Sequence, residues 1–169
     1  MSWTNEFMES SAFKVKNTEE VKEVLNLMGM DTLVTEDNAI CFYGDEVYFD
    51  EDTEVVLSIK PIEIDGQKKN LLGLYGYNIM DSIDIDEVKE EYNLTEDDYM
   101  VVPITEYLQD QLADDKQYIA ITTAGYEGRS AGNFNPFGEL TVITKNGTDF
   151  VSLYSATQEI LKKHNIIEE

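Results

Sequence analysis

The chain contains one cysteine, one histidine, one tryptophan, one arginine and three prolines among its 169 residues. Each shortage excludes something. The lone Cys41 cannot form an internal disulfide, and its apolar neighbours Ile40, Phe42 and Tyr43 point to a buried, unreactive thiol in a reducing compartment. With a single histidine and a single cysteine, no His-rich or Cys-rich zinc site can be assembled. A Ser-His-Asp or Cys-His arrangement would have to use His164, near the end of the last expected helix, where capping is the expected role. No apolar run approaches the ~20 residues that a membrane-spanning helix requires. Met1 to Ser11 is polar and acidic and lacks the basic-then-apolar order of a secretory signal. A soluble, cytoplasmic protein without a membrane partner is the expectation.

The deficit that matters most is positive charge. Asp and Glu number 35 against 12 Lys and Arg, for a formal net charge of −23, and Arg129 is the only guanidinium. The imbalance is concentrated. Residues 23–59 hold 10 acidic residues and no Lys or Arg, and residues 81–115 hold 13 acidic residues against Lys89 alone; the remainder is almost balanced. Self-repulsion of this size works against a compact state. Yet 42% hydrophobic residues, with 10 Tyr and 7 Phe, are too many for a disordered acidic tail. The length suits one folded domain, residues 1–169, with a soft subdivision near residues 78–98.

Local patterns describe an α+β fold. Phe13 and Val15 read as a short strand, and Asn17 to Met28 as a helix with Val21, Val24, Leu25 and Met28 on one face, Asn17 and Glu20 at capping-box spacing, and Gly29 as the stop. Ala39–Tyr43 and Glu46–Phe49 flank Gly44-Asp45, which suits a hairpin turn, and Glu54–Ile64 and Gln67–Tyr77 flank Asp65-Gly66, a type I′ signal. Ser82 or Asp84 can cap a helix through Tyr92 with Ile85, Val88 and Tyr92 inward. Tyr99–Ile104 reads as a strand and Thr105–Ala113 as a helix carrying Tyr107, Leu108 and Leu112. Gln117–Thr123 is β-rich, Glu139–Thr144 and Asp149–Tyr154 flank Asn146-Gly147, and Ser155 with Gln158 has the spacing to open a last helix with Ile160 and Leu161 inside. The expected fold is therefore mostly antiparallel sheet, built of a meander and hairpins, with helices packed on one side of a single compact domain.

Motifs for small ligands are missing. An EF-hand loop needs acidic ligands at positions 1, 3 and 5, Gly at 6 and Glu at 12, an order that neither Asp45–Glu54 nor Asp81–Glu90 supplies. The glycines of Ala124–Gly138 do not follow phosphate-loop or dinucleotide spacing, so no metal and no cofactor is expected. That segment reads instead as a long irregular loop, with four glycines and with Tyr126, Arg129 and Phe134 suited to contacting a protein.

The acidic blocks carry the functional expectation. In the helix after Asp84, the pairs Asp86/Glu90 and Glu87/Glu91 are like charges four apart, and Glu96, Asp97 and Asp98 extend the run. Carboxylates at this density can substitute for phosphates in a channel lined with Lys and Arg, since duplex DNA itself presents about one charge per 1.7 Å. The expected activity is non-enzymatic. The chain would block a basic protein surface, such as that of a restriction or RNA-guided defence enzyme, and would not itself bind nucleic acid. Two alternatives are an immunity-type inhibitor of a basic toxin and a metal-dependent hydrolase using carboxylates. The expected partner-binding residues are Asp84, Asp86, Glu87, Glu90, Glu91, Glu96, Asp97 and Asp98, with Tyr126, Arg129 and Phe134 adding specificity.

Overall fold

The structure is a computed structural model that describes the backbone of residues 2–129 and 133–168 and the side chains of residues 7–125 and 138–168. Two antiparallel sheets share one core. The larger is formed by β1 (Ser2–Ser10), β2 (Asp31–Val34), β3 (Ile40–Gly44), β7 (Tyr118–Arg129), β8 (Asn133–Thr144) and β9 (Gly147–Ser152), in the order β2-β3-β1-β7-β8-β9. The smaller has the order β5-β4-β6, from β4 (Glu54–Ile64), β5 (Gln67–Tyr75) and β6 (Tyr99–Pro103). The helices are α1 (Thr18–Leu27), α2 (Ile85–Glu91), α3 (Ile104–Gln111) and α4 (Leu153–Lys163). The expected α+β class with antiparallel pairing is what the chain adopts.

One cluster of buried side chains draws on α1, α3 and both sheets. It includes Val21, Val24 and Leu25 from α1, Tyr107 and Leu108 from α3, Val55 and Leu74 from the small sheet, and Ile40, Ile119 and Ile143 from the large one. Phe42 is buried in it, stacked on Phe49 at 5.4 Å and meeting Phe13 edge-on at 6.3 Å. Helix α1 docks on α3 through a polar join as well. Tyr107 Oη donates to Glu20 at 2.7 Å, and Gln111 donates to the same carboxylate at 3.2 Å. Burial, and then the Glu20 charge, drive the Tyr107 hydroxyl far above the ordinary tyrosine range. Because Glu20 turns towards α3, only half of the expected Asn17–Glu20 capping box forms, with Asn17 Oδ1 accepting from the Glu20 N–H at 3.1 Å.

Several elements depart from the sequence reading. The polar segment Ser2–Ser10 is a strand inside the large sheet, paired with β3 on one side and β7 on the other. One edge is paired along its whole length by β7 and the other by β3 at Met8 and Glu9, so backbone partners more than apolar side chains hold it extended; Met8 faces the core opposite buried Thr123. Phe13 and Val15 make isolated bridges to Ile40 and Leu112 and do not form a strand. Glu46–Tyr48 is a 3-10 turn capped by Asp45, so the expected Gly44-Asp45 hairpin is absent. The Lys145-Asn146 pair, one residue earlier than expected, forms the β8–β9 turn, and α4 is capped by Ser152 with Ser155 and not by Ser155 with Gln158. Ile160 is exposed.

The β4–β5 hairpin matches its type I′ signal, with positive φ at Asp65 (51°) and Gly66 (80°). It also anchors the entry to α2. Ile83 N donates to Leu74 O at 2.9 Å, and the Ile83 side chain closes over Gly73, where a Cβ would lie 2.5 Å from Ile83 Cγ2. Gly73→Ala is therefore expected to lower stability by about 1–3 kcal/mol in urea unfolding. In an Ile83→Ala background the same change should cost less, because the clashing atoms are gone, while the backbone strain of a side chain at φ 155° remains. Equal losses in both backgrounds would contradict this packing.

Candidate functional site

Helix α2 and the turn that follows it carry all eight acidic candidates. Asp84 is the N-cap, its side chain accepting from the N–H groups of Asp86 at 2.9 Å and Glu87 at 3.4 Å. Ile85, Val88 and Tyr92 face inward and are half-buried, as their spacing predicts. Asn93 ends the helix in the left-handed region, with φ 54°, and Leu94 N–H reaches back to Lys89 O at 2.8 Å. The chain then turns at Thr95–Asp98. The Asp98 carboxylate accepts from Thr95 N at 2.7 Å and from Thr95 Oγ1 at 2.9 Å, and Asp98 O accepts from Ile59 N at 2.9 Å, which ties the turn to β4.

A single cation bridges helix and turn. Lys89 Nζ pairs with Glu96 and lies 5.9 Å from the centroid of the Tyr99 ring, while Tyr99 Oη donates to the other Glu96 oxygen at 2.9 Å. Asp86 is near enough to influence both Lys89 and Tyr99. The structure thus joins Asp84, Asp86, Glu87, Glu90, Glu91, Glu96, Asp97 and Asp98 on one helix-and-turn unit. All eight are solvent-exposed. The Lys89–Glu96–Tyr99 clip is the feature that sequence reading missed; the seven-residue separation of Lys89 and Glu96 gives no helical signal, since a turn brings them together.

The other acidic block behaves differently, because its members are spread over several elements. Glu23 pairs with Lys69 at 2.5 Å, Asp37 accepts from Thr35 Oγ1 and lies 4.0 Å from Lys14, and Asp45 caps the 3-10 turn. Asp50 accepts from Asn78 Nδ2 at 3.2 Å. The two blocks meet at an open groove of about 610 Å³ lined by Glu54 from the first and Asp84 and Asp86 from the second, together with Tyr75, Ser82 and Val101, and Glu23 and Asp81 line a second pocket together with Gly73 and Ile83. Among the described residues, no group of three or more His, Cys, Asp or Glu side chains is arranged to hold a metal ion.

Residues 124–129 and 133–138 are strand and not the expected irregular loop, whose residues 130–132 lie outside the described residues. β7 and β8 run as a long hairpin, pairing Tyr126 with Pro136, Gly128 with Phe134 and Arg129 with Asn133. The backbone of Tyr126, Arg129 and Phe134 thus belongs to the large sheet, whereas α2 is anchored to the small one; the side chains of these three lie outside the described residues. His164 closes α4, its N–H donating to Ile160 O at 3.1 Å. Among the described residues, no helix is long and apolar enough to cross a membrane. Comparison with models of protein families, with curated proteins and with solved structures finds no match to the chain.

The turn has a pH signature. Hydrogen bonds from the Thr95 N–H and then its hydroxyl hold the Asp98 carboxyl below its ordinary 3.8, and Lys89, then Tyr99, hold Glu96 below its ordinary 4.5. Both values are depressed on folding, so their contribution to the turn is complete above the ordinary values and is lost as pH falls through the lower folded ones. An NMR titration of the Thr95 amide should accordingly show a midpoint below 3.8. A midpoint at or above that value would contradict the Asp98–Thr95 geometry.

Proposed function

We propose that this chain is a non-enzymatic, cytoplasmic binding protein that occupies a basic surface on a nucleic-acid-handling protein and so denies that surface to DNA or RNA. The observation that carries the reading is the exposure of eight carboxylates within residues 84–98, accompanied by one lysine that is already engaged by Glu96. Such a surface presents uncompensated negative charge on an ordered backbone. A cleft built to hold phosphates responds to charge and spacing, and an ordered acidic ligand enters it without the entropy loss of a disordered acidic tail.

Further support comes from the groove beside α2, where Glu54 adds to Asp84 and Asp86 and where Tyr75 and Val101 supply apolar walls for the stem of an incoming Arg or Lys. Opposite charge would steer the encounter and make it fast and salt-sensitive. The same field repels nucleic acid itself, so the partner is the protein and not its substrate. Tyr126, Arg129 and Phe134 enter the proposal as a second contact on the β7–β8 hairpin.

The test begins with capture of the partner from a nuclease-treated lysate of the source cell. Its affinity is then measured across a salt series for the native chain and for a chain carrying Asp86→Asn, Glu87→Gln, Glu90→Gln and Glu91→Gln. The variant should bind at least about tenfold more weakly at low salt and show a shallower salt dependence, and added duplex should displace the native chain. Unchanged affinity and slope would remove α2 from the interface. Tight binding that duplex cannot compete with would favour an immunity-type inhibitor.

A further inference from the structure

The large sheet ends at β9, and among the described residues no element pairs with the outer side of that strand. Its register with β8 runs without a bulge from Glu139↔Ser152 to Thr144↔Gly147, and Thr148, Asp149, Phe150 and Val151 are all exposed. Natural sheets blunt such an edge with lysine, proline, a bulge or a covering element. β9 has none of these. Instead it presents Phe150, 61% exposed, and continues into Leu153, Tyr154 and Ile160 of α4, which are 55%, 76% and 58% exposed.

The other terminal strands, β2, β5 and β6, are managed, while inside the large sheet β1 is paired by β3 only at Met8 and Glu9. Ile83 N bonds to Leu74 O on β5, and β6 is five residues long and ends in Pro103. β2 is four residues long, begins with Asp31 and is followed by Glu36 and Asp37, so two copies meeting there would bring like charges together.

We infer that β9 is the twofold interface of a homodimer, in which the two β9 strands pair antiparallel and join the two large sheets into one. Local charge selects a second copy as the occupant. Residues 138–168 hold four acidic residues and three lysines, almost neutral in a chain of net charge −23. A basic partner is drawn to residues 84–98 and gains little here. Two copies can approach through this end, because at physiological salt the distant acidic blocks are screened beyond about 8 Å.

Strand symmetry then sets the register. A twofold axis perpendicular to the sheet pairs residues of equal parity. The register centred on Phe150 places the two Phe150 rings side by side, Asp149 against Val151 of the second copy, and Thr148 against Ser152. The only acid of the strand never faces itself, and the centre is an aromatic pair, a favourable cross-strand combination. Exposed Leu153 and Tyr154 flank that centre at the start of each α4.

Sedimentation analysis of the native chain from micromolar to submillimolar concentration tests the inference, alongside Phe150→Asp, which sets two carboxylates against each other on the axis. The native chain should show the dimer mass. Phe150→Asp should sediment as a monomer with an unchanged circular dichroism spectrum, since the ring is already largely exposed. In a Cys41→Ser background, Phe150→Cys should form an intermolecular disulfide under mild oxidation, because directly paired strand residues lie within disulfide reach, and Thr148→Cys should not. A native chain that is monomeric throughout, a dimer that survives Phe150→Asp, or crosslinking at 148 in place of 150 would overturn the inference.

Discussion

Like-charge repulsion on α2 is the constraint to which the surrounding structure answers. Asp86 faces Glu90 and Glu87 faces Glu91 one turn apart, each pair costing about 0.2–0.5 kcal/mol in an isolated helix. A seven-residue helix has little intrinsic stability with which to meet that penalty. It is held from outside. Asp84 caps the first turn, Ile83 fastens the preceding chain to β5, Asn93 closes the last turn in the left-handed region, and Lys89 grips the turn at Glu96. Asp86 and Glu87 gain from the helix dipole, but Glu90 and Glu91 lie near its negative end and gain nothing. The fold therefore keeps in order a surface that its own charges would loosen, and that order is what supports a role in binding.

A block of charge in sequence is not a patch of charge in space. Residues 23–59 and 81–115 look equivalent when counted, but the first winds through α1, β2, β3 and the start of β4, and several of its carboxylates have structural tasks. Glu23 meets Lys69, Asp45 starts a 3-10 turn, and Asp50 holds Asn78. The stretch 84–98 stays together because a helix and a tight turn fold it back on itself. At the groove beside α2 the first block contributes through Glu54. Backbone path, more than acid content, thus decides which residues can act as a unit.

Sequence patterns revealed what local forces determine. Helix α1 has its cap, its apolar face and its glycine stop within residues 17–29, and the Asp65-Gly66 turn dictates its own hairpin. α2 was readable for the same reason, and so was the exposure of its acids. Elements that owe their form to distant partners were hidden. Ser2–Ser10 becomes a strand because β7 pairs with it along its whole length and β3 with Met8 and Glu9, and nothing in its own sequence announces this. Ala124–Gly138 reads as a loop, yet β1 and β8 hold the backbone of residues 124–129 extended. Ser152 displaces Ser155 as the α4 cap because β9 stops two residues early, a choice made by pairing with β8. At the candidate site the acids were legible, whereas the Lys89–Glu96–Tyr99 clip depends on a turn whose geometry appears only in three dimensions.

If α2 is held in place against its own charge, relieving that charge where neither cap nor dipole compensates it must strengthen the fold. Urea unfolding of a Glu90→Gln, Glu91→Gln chain at about 0.01 M and about 1 M salt measures this directly. The variant is expected to exceed the native chain in stability by about 1 kcal/mol at the lower salt, through lost repulsion and a better match to the helix dipole, with the difference shrinking at the higher. A variant that is equally stable or less stable at low salt would contradict the account.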